Sequence, residues 1–231
     1  MTRPLTIAID AMGGDGGAPM AVGGTALIAK REPALRFLLF GKREEIEPLV
    51  RQHPPLQERA ELIHTDLKVS AGDKPSHVVR RGQESSMGLA IHAVKEGRAE
   101  AAISAGNTGA MLALSKIMLR TMPGIDRPAL ATAIPARDRD LVMLDLGANV
   151  ECQEENLIQF AVMGAAYART VLKVEKPRVG LLNVGIEDQK GNEKVRNAGR
   201  RLKESNLPME FAGFTEGDGI GTGAMDVVVT D

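Results

Sequence analysis

Four stretches of this chain place glycine beside amide, hydroxyl or charged side chains directly after an apolar run. They are IDAMGGDGG at 9–17, SAGNTGA at 104–110, LGANVEC at 146–152 and NVGIEDQKGNE at 183–193. In open α/β sheets, ligands bind beyond the carboxyl ends of the strands. Glycine there lets backbone N–H groups approach an anion, and a helix N-terminus adds unpaired donors and partial positive charge. The chemistry such a set can do is to hold a phosphate-like group and stabilise developing negative charge. SAGNTGA is the clearest case. Gly106 and Asn107 turn the chain, Thr108 starts a helix, Gly109 follows, and Ser104, Asn107 and Thr108 add side-chain donors. A helix cap with no ligand is the alternative, because Asn and Thr cap helices routinely.

The first stretch brings Asp10, Gly13, Gly14 and Asp15 into one turn. It matches neither GxGxxG nor GxxxxGK[ST], which disfavours classical NAD binding and P-loop hydrolysis. Carboxylates repel phosphate, so Asp10 and Asp15 are expected to orient donors, hold a cation or accept N–H groups in the turn; a plain Asx-type turn is the alternative. In NVGIEDQKGNE, Lys190 can neutralise phosphate or stabilise an oxyanion, with Asn183, Gly185, Gly191 and Asn192 around it. A solvated loop lysine before a simple helix start is the competing reading. Cys152 has no histidine near it in sequence and reads as a buried bystander. The four histidines lie outside the Gly-rich strand ends, with no HxxxH or HExxH pattern, so neither a metal site nor a cofactor is expected. Lys74, Arg80 and Arg81 form one basic cluster, and Lys194, Arg196, Arg200 and Arg201 another. Each suits a solvated helix face or a surface for an acidic partner.

These residues need a frame. The chain has 231 residues, 43% hydrophobic and 26% charged, enough for a sizeable core. A net charge of −1, with five Phe, one Tyr and no Trp, argues against nucleic acid as partner. A single cysteine excludes a disulfide framework within the chain, and no apolar stretch reaches a membrane span, so a cytoplasmic protein is expected. Apolar runs predict strands over Leu5–Ala11, Arg36–Phe40, Ala60–His64, Ala101–Ala105, Ala129–Pro135, Leu141–Asp145, Arg178–Val184, Met209–Phe214 and Asp226–Thr230. Helical patterns fall at Ala18–Lys30, Arg43–Gln52, Ser85–Glu96, Thr108–Leu119, Glu154–Leu172 and Asn192–Ser205. Most strand runs are apolar throughout, as in parallel strands buried on both faces. The order implies a Rossmann-like three-layer α/β/α sandwich, read as a single α/β domain over 1–231. Residues Lys68–Gln83 read as an irregular excursion serving the site, and the helix after Glu154 as one buried at an interface. The run DVVVTD ends the sequence without a covering helix, so the natural protein is expected to continue.

Taken in order, IAIDAMGGD, KPS followed by RR and SSM, ISAGNTGAML, DRPAL, LDLGANVEC, QFAVMG and LLNVGIEDQKGNE resemble the bacterial acyl-ACP:phosphate acyltransferases of phospholipid synthesis, the PlsX family. The resemblance implies a fold akin to phosphotransacetylases and isocitrate-dehydrogenase-type enzymes, assembled as a homodimer. It implies conversion of acyl-ACP and inorganic phosphate to acyl phosphate and free ACP, the acyl carrier protein. The product would feed a membrane glycerol-3-phosphate acyltransferase, and peripheral membrane association goes with the family. Under it, SAGNTGA cradles phosphate, Lys190 and Asn183 stabilise phosphate or the oxyanion, Asn149 joins the catalytic set, and Arg80–Arg81 meets the acidic carrier. Two departures stand out: the family continues past VVVTD into a Gly-Phe-x-Gly-Asn segment, and Gly16-Gly17-Ala18-Pro19 replaces a bulkier residue and an earlier proline. The rival readings are a phosphotransacetylase-like enzyme using acyl-CoA and a non-catalytic module that binds an anion or the carrier protein.

Overall fold

A computed structural model describes residues 4–230. The chain forms two compact units, Met1–Arg120 and Thr121–Asp231, each built round its own sheet.

In the first unit, β1 (Thr6–Asp10), β2 (Arg36–Gly41), β3 (Ala60–His64) and β4 (Ala101–Ile103) run parallel in the order β3-β2-β1-β4. The helices are α1 (Gly17–Arg31), α2 (Arg43–Val50), α3 (Pro54–Gln57), α4 (Pro75–Arg81), α5 (Ser86–Lys95) and α6 (Thr108–Leu119). Successive strand side chains point to opposite faces. Ile9, Phe37 and Leu39 therefore meet Val22 and Ala26 of α1, Ile46 and Val50 of α2, and Leu56 of α3. Ala8, Leu38 and Phe40 face the other way, onto Ala90 and Ala93 of α5. The helix–sheet–helix layering follows from that alternation, and each fully buried Leu, Ile or Phe contributes about 1.5–3 kcal/mol. A third cluster joins Val69, Val78 of α4, Met87 and Ile91 of α5, and Ala110, Leu114 and Met118 of α6.

In the second unit, β5 (Ala131–Ile134), β6 (Leu141–Leu144), β7 (Arg178–Leu182), β8 (Glu210–Thr215) and β9 (Val227–Val229) are ordered β5-β6-β9-β7-β8. Only β5 is antiparallel to its neighbour. Helices α7 (Glu154–Thr170) and α8 (Glu193–Glu204) set Leu157, Phe160, Val195, Ala198 and Leu202 against Val142, Leu144, Val179, Leu181, Val227 and Val229. The helix α7, apolar nearly all round in sequence, buries one face and leaves Val162 and Arg169 exposed. Among the described residues no helix is long and apolar enough to cross a membrane.

All nine apolar runs form strands: Ala60–His64 matches at both ends, β2 runs one residue longer than expected, β8 is shifted by one, and the other six are trimmed at one or both ends. Edge position overrides the expectation of burial on both faces for β4, whose Ala101 and Ile103 are exposed. The excursion at 68–83 contains α4, which the sequence reading left irregular. It has seven residues, and among its described side chains Val78 is the one that enters the core, too few to print a period. The four-residue α3 escaped for the same reason.

The last strand in sequence is central in its sheet, and Asp226 anchors its entry. Its carboxylate, 1% exposed, accepts the Arg178 backbone N–H at 2.8 Å, Arg178 Nε at 3.1 Å and Arg139 Nη2 at 2.7 Å. Burial opposes ionisation there, but the Arg178 hydrogen bonds and the two guanidinium charges outweigh it and hold the carboxyl below the usual range. A carboxyl with a lower pKa folded than unfolded stabilises the fold above its unfolded pKa, and that contribution fades as pH falls towards the folded value. Asp226→Ala is therefore expected to cost about 2–3 kcal/mol in urea unfolding at neutral pH, below the full buried-pair range because both arginines stay partly solvated. The gap to the parent should narrow as pH drops below about 4. An unchanged unfolding free energy at neutral pH would contradict this.

Candidate functional site

Two turns meet at the C-terminal ends of β1 and β4. Asp10, 3% exposed, closes β1. Its Oδ1 accepts the Met12 N–H at 3.2 Å, and its Oδ2 accepts the Ser104 hydroxyl at 2.7 Å. Ser104 Oγ in turn accepts the Gly106 N–H at 3.0 Å. Ser104 has one proton and gives it to Asp10, so its hydroxyl has none to offer a ligand. A Cβ on Gly13 would stand 2.5 Å from Asp10 Oδ2 and 3.0 Å from the Gly106 nitrogen. Gly14 has φ +76°, and a Cβ there would meet the Ala105 carbonyl at 2.7 Å. These two glycines let one turn seat against the other.

Above the seam lies a cleft of about 680 Å³, within the range of small-ligand sites. Gly14, Asp15, Gly106, Asn107, Thr108 and Gly109 line it, together with Lys68–Ala71 from the excursion. Asp10, Gly13 and Ser104 brace its floor. Asn107 caps α6: its Oδ1 accepts the Ala110 N–H at 2.9 Å. Its Nδ2 reaches across to the carbonyls of Ala71 at 2.9 Å and Asp73 at 3.1 Å, tying the excursion to the cleft. The N–H groups of Thr108 and Gly109, at the start of α6, have no acceptor among the described residues. They are two open donors at the positive end of a helix of 12 residues.

Among the described residues, Lys68 is the one basic side chain lining this cleft, and Asp15, exposed at the rim, is the one acidic side chain. No carboxylate lies within 4.0 Å of Lys68 Nζ among the described residues. The sequence reading missed Lys68. Its only signal was membership of a polar excursion next to glycine-rich strand ends.

The second unit repeats the architecture with different residues. Asp145 closes β6, is 2% exposed, and accepts four donors. They are the N–H groups of Leu130 at 2.7 Å, Ala148 at 3.2 Å and Asn149 at 2.8 Å, and Asn149 Nδ2 at 2.8 Å. Asn149 Nδ2 also donates to the Pro128 carbonyl at 3.0 Å, which occupies both its protons. After β7, Asn183 Nδ2 donates to the Lys190 carbonyl at 3.1 Å and closes the loop that carries Lys190. Gly191 has φ +83°, and any side chain there would overlap the Asn183 amide. Gly185 lies under the Lys190 stem: a Cβ on it would meet Lys190 Cγ at 2.9 Å. Asn192 caps α8 by accepting the Val195 N–H at 2.9 Å. Lys190 is exposed, with no ion pair among the described residues. Cys152 is fully buried.

This fold belongs to a known structural class. A phosphotransacetylase from Streptococcus pyogenes matches with a TM-score of 0.68 at 17% identity, covering 100% of this chain and 78% of that one. The EutD phosphotransacetylase of Staphylococcus aureus gives 0.66 at 16% identity, over 98% and 77%. Relatives in sequence are much nearer. The phosphate acyltransferase of Parvibaculum lavamentivorans is 52% identical over 100% of this chain and 64% of its own length. That of Rhodospirillum rubrum is 51% identical over 100% of this chain and 66% of its own. The chain thus spans about two thirds of the length of the curated relatives it matches. The sequence profile described as "Fatty acid synthesis protein" matches residues 5–231, and this chain belongs to that family. The family resemblance carried by the ordered motifs is borne out.

The two carboxylates of the first turn are unequal, and substitution should show it. Asp10→Ala strands the N–H of buried Met12 and the hydroxyl of half-buried Ser104 and is expected to cost about 2–3 kcal/mol in chemical denaturation. Asp15→Ala, at an exposed rim, should stay within about 0.5 kcal/mol of the parent. Equal costs would contradict the assignment of Asp10 as the brace.

Proposed function

We propose that the protein is a phosphate acyltransferase, moving an acyl group from the thiol of acyl carrier protein to inorganic phosphate. The observation that carries the reading is the cleft of the first unit, lined both by Thr108 and Gly109, whose N–H groups are open, and by the unpaired cation Lys68. The names of the 52% and 51% identical relatives support it.

In this reaction a phosphate oxygen attacks the thioester carbonyl carbon and forms a tetrahedral oxyanion. Collapse breaks the C–S bond. The leaving sulfur takes up the proton that phosphate gives up, leaving acyl phosphate and free carrier thiol. No covalent acyl-enzyme is needed, so the tasks of the protein are positioning and charge stabilisation. Thr108, Gly109 and Lys68 hold the phosphate, with Gly106 and Asn107 shaping the turn and Asp10, Gly13, Gly14 and Ser104 bracing it. Asp15 stands exposed at the rim of the same cleft. In the second unit, Lys190 is assigned as a catalytic cation that stabilises negative charge. Asn183, Gly185, Gly191 and Asn192 position it, and Asn149 holds the neighbouring loop to Asp145. The reading carries with it a homodimer, contact with a membrane surface, and a glycerol-3-phosphate acyltransferase as the consumer of the product.

The test is phosphate-dependent thiol release from a long-chain acyl-ACP, with acyl phosphate trapped by hydroxylamine. Release that requires phosphate supports the reading. Release that does not would make the protein a thioesterase and overturn it. Preference for acyl-CoA in direct competition would favour the coenzyme A-dependent alternative. Lys68→Ala is expected to raise KM for phosphate about tenfold with kcat nearly unchanged, as loss of uniform binding does. Lys190→Ala is expected to lower kcat about 10²-fold. Unchanged turnover in Lys190→Ala would remove it from the mechanism.

A further inference from the structure

The two carboxylates of the first turn are in different circumstances. Asp10 spends both oxygens on the fold, accepting the Met12 N–H and the Ser104 hydroxyl. The Asp15 carboxylate is exposed and makes no hydrogen bond or ion pair among the described residues. The turn itself does not use it. An Asx-type turn at Asp15 would place the Gly17 N–H on its side chain, but that N–H goes to the Gly14 carbonyl at 3.3 Å. Helix α1 then starts from Gly16 with no side-chain cap.

The same side chain lines the cleft that Thr108, Gly109 and Lys68 line. Asp15 and Lys68 form no ion pair within 4.0 Å, so neither charge is spent on the other. A site that merely collects anions gains nothing from a carboxylate. An ionised carboxylate only accepts hydrogen bonds, and it repels a ligand made wholly of acceptors. The ligand that suits this lining needs oxygens for the N–H and ammonium donors and a proton for Asp15. Hydrogen phosphate has both, because at neutral pH every phosphate ion keeps at least one P–O–H. Sulfate has the same tetrahedral shape and no proton. The donors of Thr108, Gly109 and Lys68 serve either anion, and Asp15 tells them apart.

Resting on the phosphate reading of this cleft given above, we propose that Asp15 accepts the P–O–H of hydrogen phosphate and makes the cleft select phosphate over sulfate. The discrimination has an attractive and a repulsive side. Hydrogen bonds from O–H to an ionised oxygen are among the stronger ones in proteins. Against sulfate, the same carboxylate sets like charge beside like charge with no proton between them. A site that hydrogen-bonds a ligand hydroxyl in a buried place rejects the analogue lacking it by about 10⁴-fold or more. Asp15 stands at an exposed rim, where water competes for the same bond, so about tenfold is the scale expected here. The position of Asp15 ahead of α1 also complements the helix dipole, a contribution to stability that leaves the ratio of the two anions unchanged.

The experiment titrates sodium phosphate and sodium sulfate separately into the 231-residue chain by calorimetry, at neutral pH and matched ionic strength, and repeats both with Asp15→Asn and Glu58→Gln. Asparagine keeps the size of the side chain, removes its charge and adds N–H donors that sulfate can use. Glu58 is exposed just before β3, at the opposite end of the parallel strands from the cleft, and controls for net charge. Taking the ratio of the two anions within each protein cancels any shared loss of binding-competent molecules. The parent is expected to bind phosphate about tenfold or more tighter than sulfate, and Asp15→Asn to bring that ratio below about threefold, chiefly by tightening sulfate. Glu58→Gln should keep the parent's ratio. Equal affinity for the two anions in the parent overturns the proposal and leaves the phosphate cleft standing. An Asp15→Asn protein that keeps the parent's ratio, or a Glu58→Gln protein that loses it, overturns it as well. A chain that binds neither anion overturns the phosphate cleft and the proposal together. Selective, Asp15-dependent phosphate binding without phosphate-dependent thiol release upholds the proposal and removes the acyl-transfer reading.

Discussion

The carboxylate at the end of a parallel strand is the interaction on which the rest of this molecule's chemistry depends. A parallel strand that stops must hand its chain to a turn whose N–H groups have lost their ladder partners. Such groups, buried and unpaired, cost about 1–3 kcal/mol each. Asp10 meets this need in the first unit, and Asp145 does so with four donors in the second. Because the braces are anions, they draw in donors from several directions and fix each turn in one shape.

Fixing the turn decides which donors remain free. Asp10 takes the Ser104 proton and Ser104 takes the Gly106 N–H, so neither is left for a ligand. Asn107 uses its carbonyl on α6 and its amide on the excursion. Among the N–H groups left without an acceptor among the described residues are those of Thr108 and Gly109, which line the same cleft as Lys68. Asparagine plays the same part in the second unit, where Asn149, Asn183 and Asn192 each spend their amides on holding backbone. Residue types that suggest ligand contact in sequence thus act largely as scaffolding, while the Thr108 and Gly109 N–H groups and the Lys68 ammonium keep no protein partner among the described residues.

Much of the architecture was legible in the sequence because long apolar runs have few ways to be buried. Val227–Val229, Arg36–Gly41 and Arg178–Leu182 could hardly be anything but strands in a parallel sheet. The positions of the glycine-rich turns followed, since strand ends are where such turns occur. The partners within them did not follow. That Ser104 answers Asp10 depends on β4 lying beside β1, a pairing across 94 residues. That Asn149 belongs to Asp145 was closer at hand, yet the Pro128 carbonyl it also holds was not. The helix α4 was invisible because a single buried valine sets no period. Lys68 was overlooked because a lysine in a polar loop looks the same whether it faces bulk water or a cleft.

The central claim is that the start of α6 offers free backbone donors to phosphate. Thr108 occupies the first helical position, where proline is tolerated because its missing N–H has no intrahelical partner. Asn107 has ψ 112°, the extended conformation that a residue before proline prefers. Thr108→Pro therefore deletes one donor while sparing the Asn107 cap. Phosphate titration followed by calorimetry, with the melting temperature of each protein measured alone, is the most direct test. The account predicts that Thr108→Pro melts within a few degrees of the parent and loses most of its affinity for phosphate. Equal phosphate affinity in a folded Thr108→Pro protein would contradict it.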